Sequence, residues 1–304
     1  MLGICVVYLA QGPDGFALLD CNLAQLKRHT RGPHRIYGCC PDNDAATCQR
    51  LTEHGVIVHP ALERNPDISQ EHSALLDALV DRAIAEGCDH VATFDMDSWP
   101  VLEGWDQFYA DLLTDESPVA AIVRTELGDN FPFAAFTMLR AGFWQHALSS
   151  FSARQGLMCS PEGSALSSRP GETGSGILSQ LYDEEKRFFR LERTNLWNLH
   201  PVIAAVYDNT IFHLGAGSRT PRFITDEQSY QIGGVPARQR FAERMNEVVR
   251  DHARSETLER HDEFVAALAG ENRQALRPIE TDPRKLPKAL SLTPVDARAR
   301  SLSQ

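Results

Sequence analysis

The sequence predicts an α/β protein in which helices flank a mostly parallel sheet. Segments with strand and helix patterns alternate from the amino terminus, and the first strand, residues 4–9, is apolar throughout. A strand that helices cover on both faces has this composition, and alternating strands and helices build parallel sheets. Right-handed crossovers place the loops that follow the strands along one edge of the sheet, where ligands bind.

The alternation can be followed element by element. A helix is predicted over residues 16–29, where apolar side chains recur at helical spacing and three basic residues lie in the last turn. A second strand over residues 34–40, a helix over residues 45–54 and a short strand over residues 56–59 follow. Further strands are predicted over segments that lie later in the chain, at residues 119–123, 202–206 and 211–214.

The most informative stretch is residues 91–100, with the sequence VATFDMDSWP. An amphipathic helix that ends at Gly87 leads into this stretch, which forms a strand that Pro100 stops. Side chains two residues apart in a strand point the same way, so we expect Asp95 and Asp97 to converge at its carboxyl end. Two carboxylates this close repel each other unless a cation lies between them, which favours a divalent metal site.

Other polar residues follow strands that should end at the same edge. Tyr8 lies in the first strand and Asp42 follows the second. Because ligands bind outside the carboxyl ends of parallel strands, we expect Tyr8, Asp42, Asp95 and Asp97 to face one crevice.

Composition limits the classes of protein that remain. The chain has 304 residues and a formal net charge of −11, which disfavours a nucleic-acid partner. No apolar run approaches the roughly 18–20 residues that span a bilayer, so we expect no transmembrane segment. The amino terminus fits a first strand and not a signal peptide. Seven cysteines without repeated spacing indicate reduced thiols, and we predict a cytoplasmic protein.

The Asp-x-Asp pair at the end of a strand resembles the metal motif of glycosyltransferases with the GT-A fold, most closely the family 2 group of nucleotide-diphospho-sugar transferases. The helix that leads into the motif and the loop over residues 40–44 fit the same pattern, over roughly residues 1–220. The resemblance implies hexosyl transfer from a nucleotide-diphosphate sugar to a hydroxyl group of a glycan or small molecule. It also implies a divalent cofactor, Mn²⁺ or Mg²⁺, and a base-binding aspartate at Asp42.

Three later positions take roles from this resemblance. Glu172 is similar to the family's general base, although neutral residues replace the acid that normally follows it. Such a base is needed only if transfer inverts the sugar carbon. His213 resembles the histidine that completes the metal site with Asp95 and Asp97, where Asp95 can also contact the ribose. Arg219 would then bind the diphosphate through its planar guanidinium group.

The predicted domain organisation has three parts. Strand patterns end near residue 220, two amphipathic helices follow, and prolines interrupt the last segment. We predict a GT-A catalytic domain over residues 1–220, a helical extension over residues 221–276 and a proline-containing, loosely ordered tail over residues 277–304.

Three other functions remain open. Haloacid dehalogenase-like phosphatases also carry Phe-Asp-x-Asp at a strand end, where the first aspartate forms an aspartyl phosphate, but that motif normally opens the domain. A nucleotidyltransferase on a GT-A sheet usually has a basic glycine-rich loop after the first strand, and residues 11–15 contain no Lys or Arg. A sugar-binding module without activity is the third.

Overall fold

The computed structural model describes most of the chain and defines its elements. It describes residues 1–10, 12–41, 44–63, 65, 67–124, 131–145, 149–152, 173–195, 203–215, 249–269 and 278–285. The strands are β1 (Leu2–Val7), β2 (His34–Cys39), β3 (Ile57–His59), β4 (His90–Asp95), β5 (Ser98–Pro100), β6 (Val119–Ile122), β7 (Phe133–Arg140), β8 (Phe188–Leu191), β9 (Ala205–Tyr207), β10 (Ile211–His213) and β11 (Ile279–Thr281). The helices are α1 (Gly12–His29), α2 (Ala45–Glu53), α3 (Ile68–Ala85), α4 (Trp105–Leu112), α5 (Ala141–Gln145), α6 (Ser175–Asp183), α7 (described over residues 249–259) and α8 (His261–Ala269).

A sheet in the order β11-β8-β6-β7-β4-β1-β2-β3 forms the centre of the molecule. Four of its neighbouring pairs are parallel, namely β1–β2, β1–β4, β2–β3 and β6–β8. The other three pairs are antiparallel. The predicted fold class, a mostly parallel sheet flanked by helices, is confirmed.

Strand β1 lies between two apolar layers, as its composition predicts. All six of its residues are buried. Ile4 and Val6 pack in the cluster that includes the apolar face of α1, whereas Cys5 and Val7 pack in the cluster that includes α3. Alternate side chains of a strand point to opposite faces, so an uninterrupted apolar run is required when both faces are covered.

A second, antiparallel sheet in the order β5-β10-β9 lies directly after the Asp-x-Asp pair. Strand β10 pairs with β5, with His213 opposite Ser98 and Phe212 opposite Trp99. Residues 208–210 connect β9 to β10, and Asp208 and Asn209 each have a φ of 50°. Two consecutive residues with positive φ form the turn that best matches the twist of a hairpin. This sheet brings a strand from late in the chain against the segment that follows Asp97.

The structure corrects one detail of the predicted strand over residues 91–100. Strand β4 ends at Asp95, residues 96 and 97 form a turn, and Pro100 is the last residue of β5 instead of a stop after β4. Asp95 and Asp97 therefore approach each other across a turn and not by alternation along one strand. The reason is that pairing with β10 draws residues 98–100 away from the central sheet.

The chain returns to the central sheet near its carboxyl end. Strand β11, within the predicted tail, pairs with β8 at the sheet edge. Its Glu280 carboxylate accepts hydrogen bonds from Ser117 Oγ at 2.7 Å and from the Arg187 guanidinium at 3.1 Å. The division into three parts at residues 220 and 276 stays a prediction. Among the described helices, none combines the length and apolar character needed to cross a membrane.

Candidate metal centre and active site

Asp95, Asp97 and His213 meet at the carboxyl end of β4. One possible ligand atom from each lies within 4.8 Å of the others. His213 Nε2 is 3.6 Å from Asp97 Oδ1 and 4.0 Å from Asp95 Oδ2. The Asp97 and His213 side chains are 3% and 8% exposed, whereas Asp95 is 23% exposed. The cluster is thus buried on one side and reaches solvent at Asp95.

The backbone of the Asp-x-Asp turn is fixed by polar side chains beneath it. The Asp95 amide group donates to Ser98 Oγ at 3.0 Å, and Ser98 Oγ donates to the carbonyl of Ala135 at 2.5 Å. The Asn22 side-chain amide donates to the carbonyls of Ser98 at 2.8 Å and Asp95 at 3.4 Å. Buried polar groups need such partners, and here these bonds hold the turn that carries both carboxylates.

His213 is held by its own strand and by an aromatic neighbour. The Leu214 amide group donates to the carbonyl of Asp97 at 2.8 Å, which joins the end of β10 to the Asp-x-Asp turn. The ring of Phe133 lies 5.7 Å from the His213 ring, centroid to centroid. The Arg124 guanidinium lies 3.7 Å from the centroid of Phe133 on its face. These contacts limit the orientation of the imidazole.

The donor set fits the predicted divalent cation. Two carboxylates and a neutral imidazole suit Mn²⁺, and carboxylate oxygens also suit Mg²⁺. Asp95, Asp97 and His213 would hold the ion, which would offset the cost of placing two partly dehydrated carboxylates side by side. Three protein ligands would leave other positions on such an ion for water or substrate oxygens.

The remaining predicted site residues lie elsewhere or outside the described chain. Tyr8 is fully buried, and its hydroxyl group donates to Asn22 Oδ1 at 3.2 Å, so it supports the residue beneath the Asp-x-Asp turn. Asp42, Glu172 and Arg219 lie outside the described residues. Their roles, and that of Tyr8 in binding a nucleotide, stay predictions.

Thr173, the residue that follows Glu172, is described and contacts α3. Thr173 Oγ1 accepts from Ser73 Oγ at 3.3 Å and donates to the carbonyl of Ser69 at 3.2 Å. Both serines belong to the first turns of α3, as His72 does. The chain that follows Glu172 is thus attached to the start of α3.

His72 and Asn22 are site neighbours that the sequence did not single out. His72 Nε2 is 3.6 Å from Asp95 Oδ1, so Asp95 lies between two imidazoles. A helix that precedes a parallel strand runs opposite to it, so its first turn lies beside the strand's carboxyl end, and this placement could have identified His72. Asn22 is a fully buried polar residue on the apolar face of α1, between Leu19 and Leu23. A polar residue at an apolar position of the helical pattern was the signal in the sequence that could have identified it.

A second carboxyl group of α3 anchors a neighbouring segment. Asp77 accepts from Ser150 Oγ at 2.6 Å and from the Phe151 amide group at 2.8 Å. Burial raises the pKa of Asp77 to about 6, against the lowering effect of these two hydrogen bonds. Asp77 lies more than one helical turn beyond His72 in α3. We assign it a structural role, namely to hold residues 150 and 151 against this helix.

Comparisons with known proteins give structural similarities only. No protein-family model matches the chain, and no curated protein matches it in sequence. A cytidylyltransferase from Leptospira borgpetersenii has 12% identity and a TM-score of 0.33 over 47% of this chain and 61% of that chain. S. aureus TarS in complex with UDP has 10% identity and a TM-score of 0.32 over 47% and 48%, respectively. The chain thus spans about half the length of these structures.

A third similar structure covers more of the chain. The mannosyltransferase PcManGT from Pyrobaculum calidifontis, in complex with GDP-Man and Mn²⁺, has 9% identity and a TM-score of 0.43. The similarity covers 88% of this chain and 72% of that one.

Proposed function

We propose that this protein is a metal-dependent glycosyltransferase that moves a hexosyl group from a nucleotide-diphosphate sugar to an acceptor hydroxyl group. The observation that carries the proposal is the convergence of Asp95, Asp97 and His213 at the carboxyl edge of a parallel sheet. That edge is where α/β proteins bind nucleotides, and this donor set suits a cation that binds diphosphate. Family 2 remains the group that the motif order resembles most.

The proposed mechanism assigns a task to each predicted residue. When bound, the cation supplies positive charge that stabilises the leaving diphosphate. Asp97 and His213 would hold it, and Asp95 would contact it directly or through the ribose. Glu172 accepts the proton of the acceptor hydroxyl group if the reaction inverts, and Arg219 binds the diphosphate.

The proposed activity also implies the partners of the protein and agrees with the predicted location. Asp42 belongs to the nucleotide side of the crevice, and the acceptor is a glycan or a small molecule. Tyr8 is fully buried, so it would act on the nucleotide side only through its hydrogen bond to Asn22. The formal net charge of −11 makes a cation at this edge more important, because the whole protein repels an anionic donor. The six cysteines in the described ranges are free, which agrees with the proposed cytoplasmic location.

Donor binding in the presence of Mn²⁺ tests the proposal. A panel of nucleotide-diphosphate sugars is screened by thermal shift, because a ligand present at about 100 times its Kd stabilises the native state by about 2.7 kcal/mol. We expect one donor to raise the melting temperature with Mn²⁺ and not with a chelator. In Asp97→Asn the Mn²⁺-dependent shift should be lost.

Asp89→Asn is the matched control. Asp89 directly precedes the amino-terminal end of β4, away from the cluster, and its substitution changes the net charge by the same amount as Asp97→Asn. Hydrolysis or transfer assays with the selected donor should release nucleoside diphosphate. Undiminished Mn²⁺-dependent activity in Asp97→Asn would overturn the proposal. Release of inorganic diphosphate from a nucleoside triphosphate would indicate a nucleotidyltransferase, and a phosphorylated Asp95 would indicate a phosphatase.

A further inference from the structure

The first residue of α8 contacts two of the three strands of the small sheet, β5 and β10, and β10 carries His213. Trp99 Nε1 of β5 donates to His261 Nε2 at 2.8 Å, and the two rings lie 5.7 Å apart, centroid to centroid. The Phe212 ring of β10 lies 6.4 Å from the His261 ring at 83°. Trp99 and Phe212 also pack on each other, at 5.2 Å between centroids. His261 therefore covers a cross-strand aromatic pair.

A chain of hydrogen bonds fixes which nitrogen of His261 carries the proton. Because Trp99 Nε1 is a donor, Nε2 of His261 must accept, and Nδ1 then carries hydrogen. His261 Nδ1 lies 2.9 Å from Asp262 Oδ1, and the Arg28 guanidinium of α1 donates to both oxygens of Asp262 at 2.9 and 2.8 Å. Burial lowers the pKa of His261, against the raising effect of Asp262, and this direction favours the neutral ring that the hydrogen bond from Trp99 requires.

The aromatic pair lies directly behind the metal ligands. In the β5–β10 pairing, Phe212 is opposite Trp99 and His213 is opposite Ser98. Adjacent residues of a strand point to opposite faces, so the Trp99–Phe212 pair and the Ser98–His213 pair lie on the two faces of one ribbon. Phe212 precedes His213, and Trp99 is two residues after Asp97. The aromatic pair is therefore joined through the backbone to His213 on β10 and to Asp97 in the turn that precedes β5.

We propose that His261 is a positioning residue for the metal centre, because it fixes the Trp99–Phe212 pair and, through it, the spacing between Asp97 and His213. The inference rests on the proposed metal site and assigns a role in that site to the carboxyl-terminal helix α8. Residues that orient metal ligands commonly change metal affinity by about 10–100-fold when substituted. Binding energies are reciprocal, so a cation that needs this spacing also favours the docked position of α8.

Mn²⁺ affinity of His261 variants tests the proposal. His261→Phe keeps an aromatic ring but removes the acceptor for Trp99 Nε1, whereas the amide oxygen of His261→Gln can still accept. We expect the Kd for Mn²⁺, measured by calorimetry well below the melting temperature, to rise about tenfold in His261→Phe. His261→Gln should restore most of that affinity, with a Kd within about threefold of the wild type.

His54→Gln is the matched control, since His54 also contacts an aspartate, Asp20, but lies at the end of α2. Its Kd for Mn²⁺ should not change. A role in stability alone would lower the melting temperature of His261→Phe without changing its Kd for Mn²⁺. An unchanged Kd in folded His261→Phe would therefore overturn the proposal.

Hydrogen exchange on the wild type provides a test that needs no variant. Saturating Mn²⁺ should slow exchange of the backbone amides of α8 by several-fold, whereas those of α2 should not change. Equal exchange of α8 with and without bound Mn²⁺ would also overturn the proposal. If the wild type binds neither Mn²⁺ nor Mg²⁺, the proposed function itself fails and this inference fails with it. If the wild type and every His261 variant bind Mn²⁺ equally tightly, only this inference fails.

Discussion

Asp208 shows how burial changes the chemistry of one side chain in the hairpin that carries His213. Its carboxyl group, in the turn between β9 and β10, is 2% exposed. Oδ2 accepts from the Tyr109 hydroxyl group at 3.3 Å, and Oδ1 has no hydrogen-bond partner among the described residues. Burial raises the pKa of Asp208 to about 7, although the Tyr109 hydrogen bond opposes this effect. The group therefore keeps its proton in mildly acidic solution.

Asp208→Asn should remove a pH-dependent part of the stability. The folded-state pKa lies above the ordinary value of 3.8, so the folded protein binds more protons, and the wild type loses stability as pH rises from about 4 to about 7. Asparagine does not ionise and tolerates the φ of 50° at this position. We expect the variant to exceed the wild type by on the order of 2 kcal/mol at about pH 8, and by much less at about pH 5.

Urea denaturation at the two pH values measures this difference. Asp111→Asn, on the exposed surface of α4, serves as the control and should show no such dependence. An Asp208→Asn effect of equal size at both pH values would contradict the assignment.

At the scale of one residue, the sequence singled out the three residues that the structure brings together in a cluster able to hold a metal. Asp95 and Asp97 lie in a local pattern, and His213 was inferred from a resemblance to the motif order of a known family. The contributions of Asn22 and His72 depend on contacts between α1 or α3 and the end of β4. Such contacts join residues distant in the sequence, and no local spacing reports them.

Helix α6 begins in a tightly packed place beside α3. A Cβ atom at Gly176 would overlap the carbonyl oxygens of Ser150 and Ser152. Hydrogen bonds from Ser150 and Phe151 to Asp77 fix that segment against α3. The backbone of residues 150–152 therefore cannot move easily away from the start of α6.

Gly176→Ala should destabilise the protein by about 2–3 kcal/mol, because the added methyl group must displace backbone and not a flexible side chain. Gly142→Ala in α5 is the control, since nothing lies within 4 Å of a Cβ there. That change should be neutral or stabilising by up to about 1 kcal/mol, because alanine has a higher helix propensity than glycine. Guanidinium denaturation measures both, and equal stabilities would refute the packing argument.

The elements themselves were largely predictable, whereas the partners of some were not. The early strands, the helix over α3 and the two hairpin strands overlap the predicted segments. Strand β1 begins and ends two residues before its predicted bounds, and β9 begins three residues after its predicted start. The pairing of β5 with β10 was not predicted, because three-residue strands carry too little pattern to specify a partner. Only the folded chain shows that β5 belongs to a second sheet.

At the scale of the molecule, the carboxyl-terminal region completes the central sheet. Strand β11 covers the edge of β8, where Glu280 contacts Ser117 and Arg187. An uncovered edge presents unpaired backbone groups that favour association with other chains. The sheet is therefore best protected when residues 279–281 are present.

Two truncated proteins test the contribution of this edge strand. Removal of residues 278–304 should lower the melting temperature by several degrees relative to removal of residues 286–304, since only the first deletes β11. The longer truncation should also associate more readily, as measured by light scattering. Identical melting temperatures and scattering for the two truncations would show that β11 does not stabilise the sheet.

The sequence by itself determined the α/β class, the order of most elements and the residues suited to hold a cation, because these follow from local periodicity and from side chains close together in the chain. The tertiary structure decided the turn between β4 and β5, the second sheet that brings His213 to Asp97, and the contact of α8 with the back of that sheet. The physical reason is that backbone pairing and aromatic packing join segments regardless of their separation along the chain. The buried surface they create has no counterpart in a local pattern.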